Sequence, residues 1–255
     1  MDSRSFKFCD TIIDLYNGDC LDIIPLLNKH SVDLIAVDPP YGTTQNKWDV
    51  VIPLDDMWEC IKYILKPNGN VVFTATQPFS SMLILSNLDW YKYDLVWMKT
   101  IGSGQLNISK QPLRVHEGII IFYNKFGTYN EQKTEGKPYS ISRKTSNFEG
   151  NYGRQKDHLK INDGFRHAKS IVKIPNPRIK GGHRTEKPVK LMEYIINTYS
   201  NTGDVVLDFS MGRVTTGIAC MNLGRSFVGI EKDQLWFSRS VDRVSEYVDK
   251  FKLFC

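Results

Sequence analysis

The sequence lacks the cysteine spacing that marks a disulfide framework or a zinc site. Its five cysteines, at positions 9, 20, 60, 220 and 255, are odd in number and scattered, without any CxxC or Cys/His pairing. No apolar run approaches the roughly 18 residues that a membrane span requires, and the first residues mix charged with apolar positions. We therefore expect a cytoplasmic protein that is neither secreted nor membrane-bound.

Strong overall charge is also missing, because the net charge of the 255 residues is only +5. The charge is nevertheless concentrated. Between positions 125 and 182, thirteen Lys or Arg stand against five Asp or Glu, a local net charge of +8. Aromatic and polar residues alternate there without clear periodicity, which is typical of a loop-rich insertion. With 41% hydrophobic residues, the remainder can form one large domain.

Strands and helices alternate along that remainder. Apolar runs such as 32–38 and 205–209 have the form of buried parallel strands. The predicted strands are 11–16, 32–38, 70–76, 93–98, 118–123, 205–209 and 226–231. The predicted helices, from apolar residues at helical spacing, are 20–29, 54–66, 78–88, 187–199, 214–223 and 235–250. This alternation predicts an α/β fold with a mostly parallel sheet.

The clearest chemical signal is Asp38-Pro39-Pro40-Tyr41, which directly follows a predicted buried strand. Open α/β sheets bind ligands at the carboxyl ends of their strands. The prolines stiffen the backbone and remove N–H groups, so the Asp38 carboxylate and the Pro39 carbonyl present fixed acceptors. Such acceptors suit an exocyclic amine, whose lone pair can attack a methyl group, while Tyr41 can stack on the base. Taken alone, the four residues could also be a simple strand-to-loop turn.

In company with other stretches, this element resembles the β-group adenine-N6 DNA methyltransferases. The further matching stretches are 17–20, 113–117, 183–188 and 206–212. The resemblance implies a Rossmann-like sheet of seven strands in circularly permuted order. It divides the chain into a catalytic half (1–124), an inserted target-recognition segment (125–182) and a cofactor-binding half (183–255).

The resemblance also implies the reaction. A methyl group would pass from S-adenosylmethionine to adenine N6 in duplex DNA, at a specific site, after the base has flipped out of the helix. The family implies a role in restriction–modification, a homodimer, and no metal. His116 and Glu117 lie in a matching stretch, and we expect them to orient the active-site loop, because a neutral amine needs no strong base.

The family pattern assigns the cofactor to the ends of several strands. Gly212 would permit close backbone approach, Glu231 would accept hydrogen bonds from the ribose hydroxyls, and Asp19 would contact the adenine amine. Asp19 could instead be a helix N-cap, Glu231 an exposed strand-end acid, and Lys187-Pro188 a helix start. The assigned positions are Asp19, Asp38, Thr185, Lys187, Asp208, Phe209, Ser210, Gly212 and Glu231.

The basic segment supplies the candidates for DNA contact, because clustered Lys and Arg neutralise phosphates with release of counterions. They are Arg143, Lys144, Arg154, Lys156 and Arg166. A solvated basic loop is the alternative interpretation.

The cofactor loop departs from its family at Arg213 and Val214, where a small residue and a glycine are expected. A β-branched residue at positive φ carries strain, and arginine adds bulk near a cationic sulfonium. If Arg213 points outward or pairs with the cofactor carboxylate, the enzyme stays active. If the loop excludes the cofactor, the chain is a catalytically degenerate DNA-binding protein. A cytosine-N4 methyltransferase is a further alternative, although that group more often has Ser in place of Asp38.

Overall fold

The computed structural model describes residues 2–46, 49–143, 158–176 and 186–251. The chain divides into two compact units, Met1–Asn130 with Ser170–Cys255, and Glu131–Lys169. The strands are β1 (Asp2–Phe8), β2 (Thr11–Asn17), β3 (Val32–Val37), β4 (Leu65–Ala75), β5 (Tyr91–Ser103), β6 (Arg114–Phe122), β7 (Thr134–Glu135), β8 (Tyr139–Arg143), β9 (His158–Asn162), β10 (Phe165–Arg166), β11 (Ile171–Lys173), β12 (Val205–Asp208) and β13 (Ser226–Glu231). The helices are α1 (Cys20–Ile23), α2 (Leu54–Ile64), α3 (Phe79–Leu85), α4 (Val189–Tyr199), α5 (Thr215–Leu223) and α6 (Gln234–Phe251).

The larger unit contains a nine-stranded sheet in the order β1-β2-β13-β12-β3-β4-β6-β5-β11. Strands β2, β13, β12, β3 and β4 are mutually parallel, and β6 runs antiparallel between β4 and β5. The central position of β12 beside β3 places the C-terminal cofactor segment next to the strand that ends before Asp38. This is the permuted order that the resemblance implies.

Both faces of the sheet are buried, as the continuous apolar runs predict. Along β3, Leu34 and Ala36 pack into one apolar cluster, with residues of α4, α5 and α6. Ile35 and Val37 point the other way and pack with residues of α1, α2 and α3. Alternate residues of β3 therefore pack into two separate apolar clusters, one on each face of the sheet, and helices cover both faces.

The predicted α/β class is confirmed, whereas two details of it are wrong. The sheet has nine strands rather than seven, because the mostly exposed β1 and the three-residue β11 extend its two edges and show no hydrophobic pattern. The predicted helix 20–29 ends at Ile23 and continues as the short 3-10 helix Ile24–Leu26. Pro25 lacks the N–H that a continued α-helix requires.

The smaller unit, Glu131–Lys169, contains two short antiparallel pairs, β7 with β10 and β8 with β9. It is shorter than the predicted insertion, because residues 125–130 and 170–176 belong to the larger unit. The functional division at 125–182 stays a prediction.

Cys9 is disulfide-bonded, which the cysteine spacing did not predict, whereas Cys20, Cys60 and Cys220 are free. Within the described ranges, none of the helices combines the length and the apolarity that crossing a membrane would take.

Candidate active site

Four acidic residues lie at the carboxyl ends of four neighbouring strands. Glu231 and Asp208 end β13 and β12, Asp38 directly follows β3, and Asp19 stands two residues beyond β2. Because β2, β13, β12 and β3 are parallel and adjacent, these carboxylates share one edge of the sheet. Neighbouring strands are about 4.8 Å apart, so the row extends over roughly 15 Å. The fold thereby gathers residues that are up to 212 positions apart in the sequence.

The Asp38 carboxylate is held by three donors. The Tyr41 hydroxyl and the Thr74 hydroxyl donate to Oδ1 at 2.6 and 2.5 Å, and Lys187 Nζ donates to Oδ2 at 2.8 Å. The β3–β4 register pairs Val37 with Phe73, which brings Thr74 beside Asp38. Sequence reasoning missed Thr74, although a hydroxyl directly after the apolar run 71–73 was a visible signal.

Lys187 is the centre of a buried charge network. Its Nζ lies 2.8 Å from Asp38 and 3.1 Å from Glu117 Oε2, while Lys99 Nζ lies 2.8 Å from Glu117 Oε1. Burial lowers the pKa of Lys187, but the charge of Asp38, with Tyr41 and Glu117, outweighs it and holds this pKa well above its ordinary value. Burial raises the pKa of Glu117, but Lys187 and Lys99 hold it below the ordinary value. Lys187 and Glu117 are thus both charged at neutral pH.

Lys187, which the family pattern assigns to the cofactor, contacts other side chains of the protein. Its ammonium contacts Asp38 and Glu117, and it lies 5.6 Å from the centroid of the Tyr41 ring. The alternative of a helix start also holds, since Pro188 is the N-cap of α4. Glu117, which was expected to orient the active-site loop, pairs with Lys187 and Lys99. Thr185 lies outside the described residues.

The Tyr41 ring is supported from within the protein. It stacks on Phe79 with ring centroids 5.4 Å apart and an interplanar angle of 26°. Burial raises the pKa of Tyr41 well above its ordinary value, and the Asp38 charge adds to this, so the hydroxyl remains a donor. The packing on Phe79 leaves less of the ring for the predicted stacking on a base.

The backbone of the Asp38–Tyr41 loop is anchored by Asp49, which sequence reasoning also missed. Its carboxylate accepts the N–H groups of Gly42, Thr43 and Thr44 at 2.7 to 3.0 Å. Gly42 has a φ of +66°, which glycine adopts without strain. Pro39 is buried and Pro40 half-buried, so the loop is held on both sides of the acceptor pair.

The cofactor loop is tied to neighbouring strand ends. Thr216 Oγ1 and the Ser210 N–H donate to Asp208 at 2.6 and 3.0 Å, and the Gly212 N–H donates to Glu231 Oε2 at 2.9 Å. Burial raises the pKa of Asp208 to about 7, to which the charges of Asp38 and Glu231 contribute. Phe209 belongs to the apolar core rather than to an open surface.

Asp19 and Glu231 both have partners in the protein. Asp19 is the N-cap of α1, accepting the Leu21 N–H at 3.0 Å, and its other oxygen pairs with Lys232 at 2.8 Å. The N-cap interpretation is therefore correct, without excluding a ligand contact. Glu231 is not an exposed strand-end acid, because its carboxylate binds the Gly212 and Asp233 N–H groups.

Val214 adopts a left-handed conformation, with φ +55° and ψ +31°, at the position where the resemblance implies glycine. Its side chain is fully buried, and a Cβ placed on Gly217 would come within 2.6 Å of Val214 Cγ2. The loop therefore keeps its glycine-like geometry, and Gly217 makes room for the extra side chain. The Arg213 side chain pairs within the protein, with its Nη1 3.3 Å from Glu186 Oε2.

Two substitutions of Val214 distinguish the backbone strain at this position from the packing of its side chain. Both Val214→Gly and Val214→Ala are expected to lower the free energy of unfolding by about 1–3 kcal/mol, because each empties part of the core. Inside an ordinary helix glycine is less stable than alanine by about 0.5–1 kcal/mol. At a φ of +55° we expect the glycine variant to be at least as stable as the alanine variant. Chemical denaturation measures both, and an alanine variant clearly more stable than the glycine variant would contradict the strain.

The DNA-contact candidates belong to the smaller unit. Arg166 is engaged inside this unit, with its guanidinium 4.7 Å from the centroid of the Tyr139 ring and donating to Asn162 and to the Lys137 carbonyl. These contacts favour a structural role for Arg166. Arg143 ends β8, and its side chain is not among those described. Lys144, Arg154 and Lys156 lie outside the described residues.

Comparisons with known proteins show what this chain is similar to. The Type II methyltransferase M.HinfI of Haemophilus influenzae is 28% identical over 276 residues, covering 94% of this chain and 69% of the relative. The Type II methyltransferase M1.MboII of Moraxella bovis is 26% identical over 244 residues, covering 85% of this chain and 90% of the relative. The crystal structure of the M1.HpyAVI–SAM complex has the same fold, with a TM-score of 0.61 and 22% identity over 90% of this chain and 97% of that one.

A family model described as DNA methylase, covering the N6 and N4 enzymes, matches residues 32–238, well over half of the chain. The match begins at β3 and reaches into α6, so it includes Asp38, the smaller unit and the cofactor loop. The chain therefore belongs to the N6/N4 family of DNA methylases.

Proposed function

We propose that this DNA methyltransferase transfers the methyl group of S-adenosylmethionine to N6 of an adenine that has flipped out of duplex DNA. The observation that carries the proposal is the placement of Asp38. Its carboxylate lies at the end of β3, fixed by Tyr41, Thr74 and Lys187, and β3 is the neighbour of the strand that leads into the cofactor loop. Methyl acceptor and methyl donor would thus meet across adjacent strand ends.

The residues at this edge suit S-adenosylmethionine, which offers hydroxyl and amine donors and two positive charges. The row of acids provides acceptors and negative charge, and Gly212 leaves room for close approach, since a Cβ built on it meets nothing within 4 Å. Asp208, Ser210 and Gly212 would hold the methionine part, and Glu231 and Asp19 the adenosine part. When bound, the cofactor supplies an electrophilic methyl group. M1.HpyAVI, which has the same fold, is known as a complex with SAM.

The protein's own residues would orient the amine. Each carboxylate oxygen has two lone pairs, so Asp38 Oδ2 can accept from an adenine amine in addition to Lys187. The Pro39 carbonyl offers a second acceptor. Two acceptors in fixed positions direct both amine hydrogens away from the methyl donor and leave the nitrogen lone pair facing it. Tyr41 and Thr74 fix Asp38 beforehand, and such preorganisation typically contributes much of an enzyme's rate enhancement.

Adenine is favoured over cytosine by Asp38 itself, because the resemblance associates an acid at this position with N6 chemistry. The family includes enzymes of both kinds.

The relatives M.HinfI and M1.MboII are Type II methyltransferases, which supports a role in restriction–modification. The smaller unit and the basic segment from 125 to 182 are the proposed DNA contacts. A homodimer stays a prediction from the resemblance.

The direct test is transfer of tritiated methyl from S-adenosylmethionine to unmethylated DNA of mixed sequence, followed by nucleoside analysis. We expect labelled N6-methyladenine. Labelled N4-methylcytosine would show that the target base is wrong. Absence of transfer together with absence of cofactor binding would favour the degenerate DNA-binding protein.

A further inference from the structure

The residue before Lys187 is the centre of a second buried charge cluster, on the side of the cofactor loop. Glu186 has a side chain only 5% exposed. Its Oε1 accepts from Arg243 Nη1 at 2.7 Å and from the Thr215 hydroxyl at 2.9 Å, and its Oε2 lies 3.3 Å from Arg213 Nη1. Arg243 Nη1 also donates to the backbone carbonyl of Arg213 at 2.7 Å. We call Glu186, Arg213 and Arg243 the clamp.

The clamp joins three separate segments of the chain. Arg213 and Thr215 flank the strained Val214 at the start of α5, Arg243 comes from α6, and Glu186 comes from the segment that leads into α4. A strained backbone conformation persists when its surroundings over-determine it. Arg243 binds the carbonyl on one side of Val214, and Glu186 binds the hydroxyl on the other side. The clamp thus holds the turn of the cofactor loop from both ends.

Glu186 and Lys187 are consecutive, so their Cα atoms are about 3.8 Å apart. One side chain is tied to the cofactor loop, and the other is tied to Asp38 and Glu117. A shift of the cofactor loop would pull on Glu186 and therefore on the backbone that carries Lys187. Arg213 stands where the family pattern has a small residue, so this connection includes a residue that departs from that pattern.

We propose that Glu186, Arg213 and Arg243 are positioning residues that set Lys187, and through it Asp38, against the cofactor loop. The proposal rests on the proposed methyl transfer, because Asp38 is the acceptor in that reaction. It gives position 213 a positioning role that the sequence analysis did not consider. The arginine that could have blocked the cofactor instead aligns the two halves of the site.

Arg213→Met keeps the aliphatic stem and removes the charge. We expect kcat for methyl transfer to fall about tenfold, with the Kd for S-adenosylmethionine and the KM for DNA changed less than threefold, because an interaction that aligns groups acts on kcat. Arg213→Lys, which keeps the charge, should recover most of the rate. Arg4→Met makes the same change of charge on the edge strand β1 and should leave all three constants unchanged.

A second variant tests whether the clamp acts as one unit. Glu186→Gln should lower kcat by a similar factor, and the double variant should fall no further than either single one, because contacting residues are not additive. If the two single reductions in kcat multiply in the double variant, the clamp does not act as one unit and the proposal is wrong. An unchanged kcat in Arg213→Met, or a fall in kcat explained wholly by weaker cofactor binding, would also contradict it. No methyl transfer by the unmodified protein would overturn the proposed function, and the clamp with it.

Discussion

Replacing Asp38 with asparagine is expected to lower kcat for methyl transfer by about 100- to 1000-fold, the usual cost of removing one preorganised polar group. The amide keeps the shape of the side chain and loses the negative charge. Lys187 would then face a neutral group where it now has a carboxylate at 2.8 Å, and the amine of the target base would lose its best acceptor. Steady-state kinetics with labelled cofactor measures the loss, and equilibrium binding should show cofactor affinity retained within a few-fold.

Asp33→Asn is the matched control. Asp33 lies near the amino-terminal end of β3, whereas Asp38 follows the carboxyl end of the same strand. It too accepts from a lysine, with Lys66 Nζ 2.7 and 2.8 Å from its two oxygens, and it also accepts the Val205 N–H at 3.0 Å. This variant should lose some stability and keep its activity per folded molecule. Full activity of Asp38→Asn would show that Asp38 is not a catalytic residue. Tyr41→Ala, which we expect to abolish methyl transfer, would then test the remainder of the Asp38–Tyr41 loop.

Much of the fold could be predicted because hydrophobic patterns report burial directly. Runs such as 32–38 and 205–209 became β3 and β12, side by side in the sheet. The edge strands β1 and β11 could not be found in the same way. An edge strand has a neighbouring strand on one side only. The seven residues of β1 are mostly exposed, so they show no alternation of apolar and polar residues that would distinguish a strand from a loop. The family and the enzyme class, which rested on ordered motifs, are confirmed.

The candidate site shows what motifs can and cannot supply. They located Asp38, Tyr41, Lys187 and the cofactor loop, because those residues are contiguous with recognisable neighbours. They did not locate Thr74 or Asp49, whose importance comes from a hydrogen bond that exists only after folding.

The departure at Val214 was correctly identified as positive-φ strain, but its consequence depends on packing. Whether the loop collapses or keeps its geometry is decided by whether the core has space for a valine side chain. Gly217 provides that space. No local rule relates the two positions, because the contact depends on how α5 packs against the sheet. The retained loop geometry favours the active enzyme over the degenerate alternative.

The second large effect is expected from Lys187→Met. Removing the ammonium leaves Asp38 and Glu117 as two neighbouring carboxylates without their shared cation, and breaking a buried pair in this way typically costs about 3–5 kcal/mol of stability. Lys66→Met is the matched control. The Lys66–Asp33 pair has nearly the same distance, 2.7 Å, but the Lys66 side chain is 43% exposed rather than 9%. An exposed pair of this kind contributes about 0–1 kcal/mol. Urea denaturation of both variants gives the comparison.

The pH dependence of that loss tests its electrostatic origin. In the unmodified protein the pKa of Glu117 is lowered, so its contribution to stability is present above the ordinary pKa of 4.5 and is lost as the pH falls below it. The pKa of Lys187 is raised, so its contribution is present below 10.5 and is lost only when the pH rises further. In Lys187→Met, burial of Glu117 is opposed by Lys99 alone, so the carboxyl takes up its proton at a higher pH than before. The loss of stability should therefore be greatest near neutral pH and shrink as the pH falls toward 5. A loss that is the same at both pH values would point to packing of the lysine stem rather than to its charge.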